Sequence, residues 1–187
     1  MLVFLDFEAS SLAKASYPIE VAWIFEDGRA ETYLIRPAPG WTDWDDEAEA
    51  IHRIDRATLM VDGTDHETVA QRMIDALTGH DLLASAPSWD GTWLSALLRA
   101  AGHSRHSLKL RRTDDAMRET ARAILANSCP AGELEARVGD LLTLVEVREA
   151  RAPPAHGALP DAEAERLQWL AVRDEAESLA RKEEIND

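Results

Sequence analysis

Two acids, Asp6 and Glu8, stand two apart in the apolar opening stretch LVFLDFE of residues 2–8. In an extended strand that spacing sends both side chains to one face of the sheet. Neighbouring carboxylates in apolar surroundings repel each other and are costly to strip of water unless a cation lies between them. The pair points to a divalent-metal site; the plainer alternative is that this face is the solvated end of the strand. Three other residues could join the pair. Asp90 follows an apolar strand and opens a helix, where an acid alone would serve as an N-cap. Asp161 follows Pro160 in the first turn of a helix and has the same plain explanation. His156 lies five residues before Asp161 in HGALPDA. A lone loop histidine is usually solvated, but beside a carboxylate and a metal it can take a proton from water near neutral pH. Together such residues could hold a divalent cation and take a proton from water beside it.

These side chains need elements to hold them. Residues 2–8, apolar on both faces, predict a central strand, 18–26 a second and 30–36 a third, with Asp27-Gly28 as the turn between the last two. After the break at PAPG (37–40), an acidic helical start is expected at 43–50 and a helix at 66–78. A short strand over 80–86 then leads into a helix over 90–101, ended by Gly102. A short strand at 107–110, helices at 114–126 and 132–148, and a last helix opened by Pro160 complete the pattern. The chain reads as a single domain over 1–180 with a frayed tail at 181–187.

Composition narrows the classes. The 187 residues carry 35 acids against 20 lysines and arginines, a formal net charge of -15, which argues against a free-standing binder of long duplex nucleic acid. Any nucleic-acid substrate should be short or met locally. A single cysteine, Cys129, excludes an intramolecular disulfide and a cysteine-based zinc site. The opening apolar run is too short for a signal peptide or a membrane span, and no other run is long enough, so the expected address is the cytoplasm, without membrane association.

Taken jointly, Asp6-Phe7-Glu8 on the first strand, Asp90 after the fourth, and His156 with Asp161 resemble the DEDDh (DnaQ-like) 3′–5′ exonuclease family, which includes proofreading exonuclease subunits, oligoribonuclease and RNase T. Tyr17-Pro18-Ile19-Glu20-Val21-Ala22 looks like that family's second strand and Ile51-His52-Arg53-Ile54 like its His-Gly-Ile segment, so the resemblance covers residues 1 to about 172. It implies an α/β, ribonuclease H-like fold: a mixed central sheet, its first three strands antiparallel, flanked by α-helices. It also implies two divalent cations, Mg²⁺ or Mn²⁺. Asp6 would bridge both, Glu8 and Asp161 would complete the site of the attacking water, Asp90 would act directly or through water, and His156 would be the general base. Phe7, Ser10, Leu12, His52 and Trp89 are the expected substrate contacts, and single-stranded DNA or RNA 3′ ends or short oligonucleotides the expected substrates.

The chain departs from the family at positions that touch substrate. Ser10-Ser11-Leu12 stands where Thr-Gly-Leu is common, Ser85-Ala86 where His-Asn is common, and Arg53 where glycine follows the histidine. Trp23, Trp93 and Trp169 fall on core faces, whereas Trp89 adjoins Asp90. Two other readings stay open: a non-catalytic accessory module of the same fold, serving a polymerase or another partner, and a phosphodiesterase of small nucleotides. A homodimer is also compatible with the sequence.

Overall fold

The computed structural model describes residues 1–149 and 157–186. Strands β1 (Leu2–Ala9), β2 (Pro18–Phe25) and β3 (Ala30–Arg36) form an antiparallel meander, close to the three expected segments and in the arrangement the resemblance implies. The sheet continues through β4 (Thr64–Asp65), β5 (Asp81–Ala84) and β6 (Leu110–Arg112) in the order β4-β3-β2-β1-β5-β6, with β4, β5 and β6 running parallel to their neighbours. β1 is therefore central, which explains why it is apolar on both faces.

Its period of two divides the core. Val3, Leu5 and Phe7 point into a cluster with Val69, Met73 and Leu77 of α3 (His66–Leu77) and with Trp93, Leu94, Leu97 and Leu98 of α4 (Pro87–Ala100). Phe4 points the other way, into a cluster built by α5 (Thr113–Leu125), α6 (Leu134–Glu149) and α7 (Ala158–Asn186). Helices thus cover both faces of the sheet, and Trp23, Trp93 and Trp169 are buried as expected. Asp6 and Glu8 continue the Phe4 side of β1 towards its C-terminal end, where apolar packing gives way to acids.

Several elements differ from the sequence pattern. The acidic start of helix α1 is Asp46–His52, capped by the Asp45 side chain on Glu47 N–H. A further helix, α2 (Arg56–Asp62), and the two-residue β4 had no periodic signal; α2 buries only Leu59 and depends on Asp55, which accepts from Thr58 N–H at 2.7 Å. α4 begins three residues earlier than expected, with Pro87 in its first turn and Ala86 at its N-cap. Asp90 is therefore not the residue that opens the helix. It lies inside the first turn and is 2% exposed. β6 lies at 110–112 rather than 107–110, and residues 181–186 are part of α7. No described helix is long and apolar enough to cross a membrane.

Candidate active site

The acids arrive at one place from three elements. Asp6 and Glu8 come from the C-terminal half of β1, and Asp161 comes from the first turn of α7, which packs on β1 and β2. One carboxylate oxygen from each of the three lies within 4.8 Å of the others. The start of α7 is tied to the sheet by its own free N–H groups. Ala158 N–H donates to Glu20 Oε2 at 3.0 Å, and Gly157 N–H donates to Glu8. Gly157 does so with φ at 147°, a backbone conformation rarely open to other residues.

Asp90 reaches the cluster from α4. The pairing of β5 with β1 stops at Phe4 and Leu83, so the far part of that edge of β1 has no strand partner. Asp90 occupies this place, accepting hydrogen bonds from the backbone of Phe7 and of its own helical turn. Burial is the main reason its carboxyl titrates at about 7, with Glu165 the strongest of the nearby charges. Asp6 is pushed further, to about 9, first by burial and then by Asp90, Glu8, Asp161 and Glu165. Glu8 rises to about 7 through burial and then Asp161 and Glu20, against the hydrogen bond from Gly157. Without a cation, several of these groups would hold protons at neutral pH. A hard divalent ion, which prefers oxygen ligands, relieves that repulsion, so the donor set fits Mg²⁺ or Mn²⁺.

Beside the acids runs a groove of about 300 Å³. Phe7, Leu12, Ile51 and Trp93 supply its apolar walls, and Ser11, Asp45, Glu47 and His52 its polar ones. His52 is 7% exposed. Its Nδ1 accepts from Ile54 N–H at 3.1 Å, so the neutral ring carries its proton on Nε2, and that buried atom has no partner among the described residues. Burial holds the His52 pKa below its ordinary value. The next residue, Arg53, closes α1 in the left-handed conformation at φ 59°, where glycine would be unstrained.

The other expected contacts divide. Phe7, Leu12 and His52 line the groove, and Leu12 is 69% exposed at its mouth. Trp89 does not line it; it is exposed and stacks on Trp93, which does, at 5.8 Å between ring centres. Ser10 is fully buried, its Oγ accepting from Tyr17 N–H at 3.1 Å and donating to Asp43 at 3.0 Å, and Ser11 takes the groove-facing place. Both hydroxyls are engaged within the loop, since Ser11 Oγ also donates to Asp43, at 2.6 Å. His156 lies outside the described residues. Glu20 and Glu165 were not singled out from sequence, although Glu165 stands one turn beyond Asp161, a spacing that places both on one helix face.

The sequence matches no family model and no curated protein. Solved structures do resemble it. The zinc-bound E. coli exonuclease I complex with single-stranded DNA superposes with a TM-score of 0.66 at 18% identity, over 93% of this chain and 40% of that one. The fold is ribonuclease H-like. E. coli exonuclease I with a dT13 oligonucleotide gives a TM-score of 0.63 at 17% identity, over 93% of this chain and 41% of that one. A product-bound exonuclease I gives 0.64 at 16% identity, over 92% and 43%. This chain spans about two-fifths of the length of those exonucleases.

Proposed function

We propose that this protein is a metal-dependent 3′–5′ exonuclease that hydrolyses phosphodiester bonds at the ends of single-stranded or short nucleic acids. The observation that carries the reading is the convergence of Asp6, Glu8 and Asp161 within 4.8 Å, next to a groove with apolar walls that Glu8 also lines. The structural likeness to exonuclease I solved with single-stranded DNA supports it.

In this reading Asp6, Glu8, Asp90 and Asp161 hold two divalent cations, Mg²⁺ or Mn²⁺. Such ions lower the pKa of bound water and neutralise charge on the leaving oxygen. His156 takes the proton of the attacking water, as the resemblance to the DEDDh family implies. Phe7, Leu12 and Trp93 receive the terminal base and sugar, and the His52 Nε2–H donates to an acceptor on that nucleoside. Trp89 lies behind Trp93 as a support for this wall. The expected setting is the cytoplasm.

A second reading has one specific observation in its favour. Asp45 and Glu47 stand on the wall of the groove, where a long phosphate backbone would meet repulsion. That favours very short substrates, down to a phosphodiesterase of dinucleotides.

Hydrolysis of 5′-labelled single-stranded DNA and RNA of graded length, with Mn²⁺, Mg²⁺ or EDTA and an Asp6→Ala control, tests both. Stepwise metal-dependent shortening from the 3′ end that the variant lacks is the expected result. Cleavage confined to dinucleotides would select the second reading. A folded protein that cleaves nothing would leave a non-catalytic module of this fold.

A further inference from the structure

Glu165 lies outside the group of Asp6, Glu8 and Asp161, and the proposed chemistry assigns it no task. It stands one helical turn beyond Asp161 on α7. Both of its oxygens are taken: Oε1 accepts from Ser85 N–H at 2.9 Å, just past β5, and Oε2 accepts from the hydroxyl of Thr113 at the start of α5. Thr113 is itself 2% exposed. Among the described residues no lysine or arginine forms an ion pair with Glu165, so two neutral donors hold it. Its charge acts on Asp6 and Asp90.

Two explanations compete for such a group. It could be a clasp, joining α7 to the ends of β5 and α5 through hydrogen bonds alone. A neutral side chain of the same shape would then serve as well, and would spare the protein a negative charge among acids that already repel one another. The alternative gives the charge a purpose. An acid outside the group of three close ligand oxygens still deepens the negative potential at that group, and second-layer groups of this kind also orient the ligands.

We infer that Glu165 is a positioning residue of the metal centre: tied to Ser85 and Thr113, it sets the helix that carries Asp161 against the end of β5, and its negative charge strengthens divalent-cation binding by the acids in front of it. This rests on the metal-dependent reading above. It concerns how strongly the ions are held.

The test is Mn²⁺ binding by titration calorimetry at fixed pH on the intact protein, its Glu165→Gln variant and its Asp6→Ala variant, with thermal unfolding of each in EDTA. Glutamine keeps the shape and an acceptor for Ser85 and removes the charge. The expected result is a Glu165→Gln protein that unfolds in EDTA at the wild-type temperature or above, yet binds Mn²⁺ roughly tenfold more weakly. Unchanged Mn²⁺ affinity in that variant would overturn the inference. A large fall in its unfolding temperature in EDTA would also overturn it, because the charge would then serve the docking of α7 rather than the cation. Failure of the metal centre itself has a different signature: wild-type protein that takes up no Mn²⁺, or Asp6→Ala protein that binds it equally well.

Discussion

Asp161, in the first turn of the closing helix, offers a carboxylate oxygen within 4.8 Å of one from Asp6 on the opening strand. Folding forces this proximity. In the extended chain the two acids do not interact, so the closure of α7 onto β1 concentrates charge that the folded protein must accommodate by protonation or by a cation.

The first consequence is a pH dependence opposite to that of most proteins. Asp6 titrates at about 9 when folded, and Glu8 and Asp90 at about 7, all above their ordinary values of 3.8 to 4.5. Above about pH 5, where carboxylates with depressed pKa values no longer differ between the two states, these three groups bind more protons in the folded protein than in the unfolded chain, and their contribution to stability falls as pH rises through 7 and 9. In EDTA the unfolding temperature should drop by roughly 5 °C or more between pH 5 and 8. Saturating Mn²⁺ should remove or reverse the drop, because the ion takes the place of the protons. A thermal-unfolding series with and without Mn²⁺ checks this, and a flat profile in EDTA would count against it.

Removing an acid should separate stability from activity. Asp90→Asn and Asp161→Asn each relieve repulsion, so the metal-free proteins should unfold at or above the wild-type temperature. Their hydrolysis of a labelled oligonucleotide should fall by roughly a hundredfold or more. Retained activity in either variant would take that residue out of the metal centre.

His52 offers a sharper probe of the groove, because its Nε2 is buried without a partner among the described residues. His52→Phe keeps a ring and loses the donor. We expect KM for short oligonucleotides to rise about tenfold, with kcat changed little. A loss confined to kcat would instead connect His52 with the chemical step.

Arg53 tests whether backbone strain has a use. A residue with a Cβ at φ 59° carries a penalty of roughly 1 kcal/mol that glycine avoids. Arg53→Gly should therefore leave stability unchanged or raise it by up to about 1 kcal/mol in a denaturant titration. If the guanidinium meets a phosphate, KM should rise about threefold to tenfold. An unaltered KM would make Arg53 an ordinary surface cation.

Much of the meander was legible before any coordinates. Residues 30–36 form β3 with the bounds the alternation predicts, and β1 and β2 differ by one residue each, because strands apolar on two faces stand out against turns such as Asp27-Gly28. The short helix α2 was invisible, since seven residues that bury one leucine leave no periodic trace. The start of α4 was misplaced for a related reason. Asp90 is of a residue type that often caps helices, whereas the helix opens at Pro87 after Ala86, and the Asp90 carboxylate accepts from Phe7 N–H, an atom supplied by a strand more than eighty residues earlier.

By itself, the sequence determined the local facts: the two-residue spacing that puts Asp6 and Glu8 on one face of β1, the order of the elements apart from α2 and β4, and the acidic balance of the chain. The tertiary structure alone decided which acids meet. Asp161 joins the cluster because α7 docks across β1 and β2, Asp90 comes near Asp6 because β5 ends early and leaves an edge of β1 open, and the Ser10 hydroxyl is engaged by Tyr17 and Asp43. The physical reason is range. Strand periodicity and turn chemistry act between neighbours and are written in adjacent residues, whereas repulsion, desolvation and hydrogen-bond competition act between groups that only folding brings together.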